Sequence, residues 1–302
     1  MTGGRGFLGS EVVRQLEARG AVARPLGTVD YDLTQQSEVR RMFVEVRPDL
    51  VVHAAAAVGG IGANVANPGL FLYANAVMGL MVLEEARLAG VESLVLVSTS
   101  CAYPEHAPLP LREDDLWAGP PTGATGPYGM AKRLLHEACI RYEQQYGFDS
   151  AVLLLANLFG PGDDFSEASS HVIPAMVRRY VDARDRALPS VTNWGTGNAT
   201  RELLHVSDAA RAIVLALETA PGPQPINVGT GRDVSIRELA ETIQLAVGYE
   251  GEVRWDATKP EGTAKRYFAT SRARERLGFE PEFTLADGIA DVVTYYESTL
   301  VS

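Results

Sequence analysis

Cysteine is scarce: Cys101 and Cys139 are the only two in 302 residues. Two thiols cannot staple a chain of this length, which excludes a disulfide scaffold and makes a reducing, cytoplasmic setting the expectation. Excess positive charge is missing too. Lys and Arg number 27 against 38 Asp and Glu, a formal net charge of -11, opposite to what counterion release from a nucleic-acid backbone rewards, so nucleic acid is not expected as a partner. No basic region followed by an apolar segment opens the chain. Residues 50–83 carry no charged side chain and are long enough to cross a bilayer. Gly59, Gly60, Gly62, Asn64, Asn67 and Pro68 interrupt them, which favours a buried strand, a loop and a core-facing helix and argues against a membrane span. His53, His106, His136 and His205 lack metal-ligand spacing, and no metal is expected.

What is present is an ordinary globular composition, 46% hydrophobic and 22% charged, in a chain longer than one typical folding unit. Leu8, Val12 and Leu16 recur at helical spacing up to Gly20, and 21–26 reads as a strand. Ser37 is a candidate N-cap for a helix burying Val39, Met42, Phe43 and Val46, ended by Pro48, with Leu50-Val51-Val52 as the next strand. Helices over 70–89 and 128–146 alternate with strands over 94–97 and 151–155. This alternation predicts an α/β fold, a Rossmann-type doubly wound parallel sheet with a smaller C-terminal lobe. The boundary is placed at 158/159, with the segment near 201–218 returning to the first lobe.

Three places carry chemistry. Gly3, Gly4, Arg5, Gly6, Phe7, Leu8 and Gly9 form a glycine-rich turn entering a helix, where backbone N–H groups can approach a pyrophosphate at the positive end of the helix dipole. The chain begins at Met1-Thr2, so the strand expected ahead of this turn is absent from the numbering, and translation is expected to start upstream. Asp30 and Asp32 lie where an NAD site would offer a carboxylate to the adenosine ribose. Arg5 suits a 2′-phosphate instead, and NADP is the favoured cofactor. Tyr128-Gly129-Met130-Ala131-Lys132 sets a phenol and an ammonium on one helix face. A neighbouring cation is expected to draw the phenol from about 10 towards neutrality, making it a competent acid for a carbonyl. The third place is the polar strand end Ser98-Thr99-Ser100-Cys101.

With these motifs the chain resembles the extended short-chain dehydrogenase/reductases, and within them the GDP-L-fucose synthase family of 3,5-epimerase/4-reductases. The resemblance runs over nearly the whole chain. It includes the run from Ala54 through Gly59-Gly60-Ile61 to Ala63-Asn64, Ser100-Cys101-Ala102-Tyr103-Pro104, the Tyr128 to Lys132 motif, and Asn157-Leu158-Phe159-Gly160-Pro161-Gly162-Asp163-Asp164-Phe165. It continues with Ser170-His171-Val172-Ile173-Pro174-Ala175, Trp194-Gly195-Thr196-Gly197 leading to Arg201-Glu202, and Thr258-Lys259-Pro260-Glu261-Gly262-Thr263. The resemblance implies that Cys101 is the base and His171 the acid of epimerisation, that Tyr128 protonates O4 with Thr99 bonded to it, and that Lys132 holds the nicotinamide ribose. It further implies that Leu155, Ala156, Asn157, Leu158 and His171 face the cofactor, and that Arg179, Trp194, Arg201 and Glu261 bind a GDP-sugar. Relatives usually carry serine at position 99, asparagine at 164 and aspartate at 261. A homodimer through the helix after Asn67 and the Tyr128 helix is implied as well.

Two other readings share parts of this pattern. A 4-epimerase or another enzyme of the same fold would have no use for both Cys101 and His171, and a dehydratase would carry an Asp-Glu pair where Ser100-Cys101 stand. A non-catalytic dinucleotide sensor would tolerate loss of Tyr128 or Lys132, and both are present.

Overall fold

The computed structural model describes residues 1–167, 170–259 and 265–301. In chain order the elements are α1 (Phe7–Ala18), α2 (Gln36–Val46), β1 (Leu50–His53), α3 (Ile61–Ala66), α4 (Pro68–Leu88), β2 (Ser93–Thr99), α5 (Gly126–Tyr146), β3 (Asp149–Leu155) and β4 (Asn157–Phe159). There follow α6 (Val172–Asp185), β5 (Ser190–Trp194), β6 (Thr200–Arg201), β7 (Leu203–His205), α7 (Val206–Thr219), β8 (Ile226–Val228), β9 (Val234–Ser235), α8 (Ile236–Val247), β10 (Glu252–Asp256), α9 (Ser271–Leu277) and α10 (Leu285–Val301).

The main sheet is parallel, in the order β1-β2-β3-β8. Val52 lies opposite Val95, and Val95 opposite Ala151. Its strands are apolar on both faces, as a sheet covered on both sides requires. Val12 of α1, Ala209 to Ala216 of α7 and Leu277 of α9 cover one face. Val39 and Phe43 of α2, Val82 of α4 and Leu135 of α5 cover the other. Beyond β1, Thr2 forms parallel bridges to His53 on one side and to Leu26 on the other. The chain therefore leaves the glycine turn towards one edge and returns on the opposite side of Thr2. Such a reversal opens a crevice at the carboxyl ends of the strands, where α/β sheets bind ligands.

Several expectations change in detail. Segment 21–26 is not a strand; only Leu26 bridges, because its pairing partner Thr2 offers a short ladder in which Leu26 N–H donates to Met1 O and Gly4 N–H to Leu26 O. Ser37 is not an N-cap: α2 begins two residues earlier than such a cap would allow, at Gln36 after Gln35, and has no side-chain cap. The lobe division is more interleaved than one cut at 158/159 with a return near 201–218. Ile226, Val228, Phe268 and Phe279 belong to the same apolar cluster as Leu153. The second cluster gathers Phe159, Val177, Tyr180, Ile243 and Ile289 from β4, α6, α8 and α10. β4 pairs with β7, so the crossing at Asn157 is stitched to Leu203. Helix α4 is long and apolar enough to cross a membrane, and half of its most apolar window is buried inside the protein.

Candidate active site

One cleft of about 830 Å³ runs from the glycine turn past the ends of β1, β2 and β3 to the start of α6. At its floor, Gly3 adopts φ +68° and its carbonyl accepts Gly6 N–H at 3.1 Å. A Cβ on Gly9 would collide with that same carbonyl. α1 starts at Phe7 behind Gly6, and no side chain caps it, so its first N–H groups are left to an anionic ligand. Gly3, Gly6, Phe7, Leu8 and Gly9 line the cleft, a cradle that fits a dinucleotide pyrophosphate. Gly4 and Arg5 do not line it. Gly4 packs on Pro25, and the Arg5 guanidinium pairs with Asp30 at 2.9 Å on the rim. Asp30 also accepts Gly27 N–H at 2.8 Å. Thr28, Tyr31 and Asp32 line the cleft at this end.

At the other end, Thr99, Tyr128, Lys132, Leu155, Ala156, Asn157, Leu158 and His171 line the same space. Pro127 lies in the first turn of α5, where its fixed φ suits a helix start. One turn later Lys132 is buried and donates to Val97 O at 2.9 Å. Burial draws its ammonium down to about 8. His53 and His136, both buried, are lowered to about 3 by burial and by Lys132, so they stay neutral. His53 contacts the Thr2 hydroxyl at 2.8 Å and His136 the Ser98 hydroxyl at 2.6 Å.

Tyr128 departs from the sequence-based expectation. Burial pushes the phenol up from its usual value, and the Cys101 charge pushes the same way. The Lys132 ammonium stands 5.8 Å from the ring centroid with its bond directed to Val97, so it does not offset the enclosure. A phenol held protonated this way is a proton donor in waiting.

Cys101 sits in a short 3₁₀ turn, Ser100–Ala102, half-buried, with its N–H donated to Thr99 Oγ1 at 3.2 Å. It lies next to Tyr128, outside the walls of the large cleft. Gly129 makes this possible: a Cβ there would strike the Cys101 carbonyl. Gly129→Ala is therefore expected to lower the melting temperature by several degrees and to cut turnover more than cofactor affinity. Thermal denaturation and steady-state kinetics check this, overpacking costing about 1–3 kcal/mol.

The proposed sugar-binding residues scatter. Arg201 lines the cleft, half-buried, its pKa lowered by burial and by the neighbouring Arg266. Arg179 is not among the residues lining the cleft; its Nη1 donates to Thr192 O at 3.1 Å and Asn193 Oδ1 at 3.0 Å, tying α6 to β5. Trp194 is 65% exposed, outside the cleft, with the Lys259 ammonium 5.7 Å from its ring centroid. Glu261 lies outside the described residues. Among the described residues no cluster of three or more His, Cys, Asp or Glu could hold a metal ion.

Two residues not singled out from the sequence join the site. Asp163 lines the cleft beside His171, and Arg266 is electrostatically coupled to both Cys101 and Arg201. Asp163 stands in the Gly-Pro-Gly-Asp-Asp turn, an informative signal only once His171 is known to face it. Arg266 is remote in sequence and had no local signal.

A family model described as the NAD dependent epimerase/dehydratase family matches residues 1–229. A probable GDP-L-fucose synthase 1 of Oryza sativa subsp. japonica is 37% identical, covering 100% of this chain and 92% of that protein. A GDP-L-fucose synthase of Escherichia coli (strain K12) is 39% identical over 98% of this chain and 95% of that protein. Among solved structures, a GDP-mannoheptose C4 reductase from Campylobacter jejuni with NADP bound superposes with a TM-score of 0.89 at 28% identity, covering 98% of this chain and 97% of that one.

Proposed function

Since the chain belongs to the NAD dependent epimerase/dehydratase family, we propose that it is a GDP-sugar 3,5-epimerase and 4-ketoreductase that takes GDP-4-keto-6-deoxy-D-mannose to GDP-L-fucose. The observation that carries this reading is that Thr99, Tyr128, Lys132 and His171 share one cleft with the glycine turn, with Cys101 against Tyr128.

A C4 ketone acidifies the hydrogens on C3 and C5, so a base on one face and an acid on the other can invert both centres. Cys101 removes the proton, and its thiolate is the competent form. His171 returns a proton from the opposite face. A nicotinamide cofactor, when bound, supplies hydride to C4. Tyr128 then gives its proton to O4, Thr99 Oγ1 holds that oxygen, and Lys132 would hold the ribose of that cofactor and supply positive charge near Tyr128. Arg201, beside Arg266, suits a diphosphate.

NADPH is the cofactor we favour: the Campylobacter jejuni reductase carries NADP, and Arg5, paired with Asp30 on the rim of the cleft, is a cation suited to a 2′-phosphate. A homodimer would cover the apolar side chains exposed on α4 and α5, Leu70, Tyr73, Met130 and Leu134. The two unpaired thiols accord with a cytoplasmic enzyme.

Incubation with GDP-4-keto-6-deoxymannose and NADPH in heavy water tests the proposal. Deuterium at C3 and C5, with NADPH consumed in proportion to reduced sugar, is the expected result. Reduction without deuterium would reassign the chain to a plain 4-ketoreductase.

A further inference from the structure

We infer that Asp163 is a positioning residue for the epimerisation: its buried carboxylate holds His171 by Nδ1 and keeps the imidazole protonated, so that Nε2–H is the group presented to the sugar. This rests on the reading of His171 as the acid. Asp163 lies in the turn between β4 and α6, and its side chain is 5% exposed where the His171 ring is 72% exposed, towards the cleft. His171 Nδ1 and Asp163 Oδ1 are 3.5 Å apart. That same oxygen accepts Asp164 N–H at 2.8 Å, which fixes the carboxylate from behind. Its second oxygen, Oδ2, is buried and has no hydrogen-bond partner among the described residues.

A buried carboxylate with an unused oxygen is costly unless a positive group shares its space. The imidazolium supplies that charge, and the arrangement repeats the pairing of carboxylate and ring N–H that fixes histidine tautomers elsewhere. The other charged or titratable groups around His171 do not take this part. Asp164, on the same turn, spends its carboxylate on Ser166 N–H at 2.8 Å and Ser166 Oγ at 3.0 Å. Tyr128 and Lys132 of α5 and Arg201 line the same cleft, but the charges that act on the His171 ring are those of Asp163 and Asp164. In keeping with this, the His171 pKa is raised from its ordinary value, chiefly by the close approach of the Asp163 carboxylate to Nδ1, against desolvation and with added help from the charge of Asp164.

An acid must reach its transition state carrying the proton, and it loses that proton as pH rises through its pKa. Asp163 therefore extends epimerisation to higher pH. The substitution Asp163→Asn keeps shape and the acceptor for Asp164 N–H while removing the charge. Two measurements decide the matter. The imidazole titration of His171 is followed by NMR and assigned by its disappearance in His171→Gln; in Asp163→Asn it should fall on the order of one pH unit. The alkaline limb of the epimerisation rate should move down with it, about tenfold in rate at a pH one unit above the wild-type midpoint.

A third measurement excludes a merely structural role: in the His171→Gln background, where deuterium still enters at C3 and C5, adding Asp163→Asn should leave the rate of deuterium entry unchanged, since the carboxylate acts through the ring. A His171 titration that does not move in Asp163→Asn, or a further loss in the double variant, would overturn the inference. If instead His171→Gln epimerises at the wild-type rate, the acid assignment itself falls. The NMR shift then still reports, separately, whether Asp163 controls the proton on that ring.

Discussion

Cys101→Ser should abolish deuterium entry at C3 and C5 while leaving NADPH binding in place. Loss of a positioned acid or base costs about 10²–10⁴ in rate, and a serine hydroxyl is far too weak a base to replace a thiolate at neutral pH. The substitution removes little bulk from a half-buried position and keeps the N–H donated to Thr99, so the turn should survive. His171→Gln makes the complementary case. With the thiol intact, a proton can leave and return on the same face, so the variant should still admit deuterium but should no longer invert the two centres. Mass spectrometry of the sugar reads deuterium, and proton coupling constants read configuration. The proposed division of labour fails if Cys101→Ser exchanges at the wild-type rate, or if His171→Gln inverts normally.

That pair of residues also shows what was legible in the sequence. The parallel sheet was readable because its strands are short apolar runs between helical patterns, and β3, from Asp149 to Leu155, is buried along nearly its whole length. The Tyr128 and Lys132 spacing was readable because one helix carries both. Arg179 could not be placed this way: an arginine on α6 suits a phosphate and a β-strand carbonyl equally, and the packing of α6 against β5 is what brings its Nη1 to Thr192 and Asn193. Asp163 had the opposite fate. Its sequence context is a polar turn, and its meaning depends on His171, eight positions later, folding back to face it. The Tyr128 phenol illustrates a third limit. Sequence spacing counts a neighbouring cation, whereas burial, which acts in the opposite sense, is a property of the assembled site.

Lys132→Met should separate stability from catalysis more sharply than any other single change. The ammonium is enclosed beneath the cleft, and its descent from 10.5 to about 8 corresponds to a cost of about 3 kcal/mol for keeping it charged inside the fold. Between these two values the unfolded chain binds the proton that the folded protein has released, so wild-type stability rises with pH across this window. The variant has no such proton. Its stability relative to wild type should therefore be most favourable below pH 8 and should decline by about 3 kcal/mol as pH rises past 10. The lost bond to Val97 O, worth about 1 kcal/mol, is too small to hide the trend. Catalysis should respond in the opposite sense: reduction by the variant falls about 10²-fold or more at neutral pH, and reduction by wild type declines above pH 8 as the ammonium loses its proton. Tyr128→Phe should match the loss in turnover without the change in stability between pH 7 and 9, because over that interval the phenol is neutral in the folded protein and in the unfolded chain alike. Urea denaturation at several pH values, run beside single-turnover reduction, measures both. A Lys132→Met protein whose relative stability is flat between pH 7 and 10 would show that the ammonium is solvated, and the enclosed site that makes Tyr128 a proton donor would then be open.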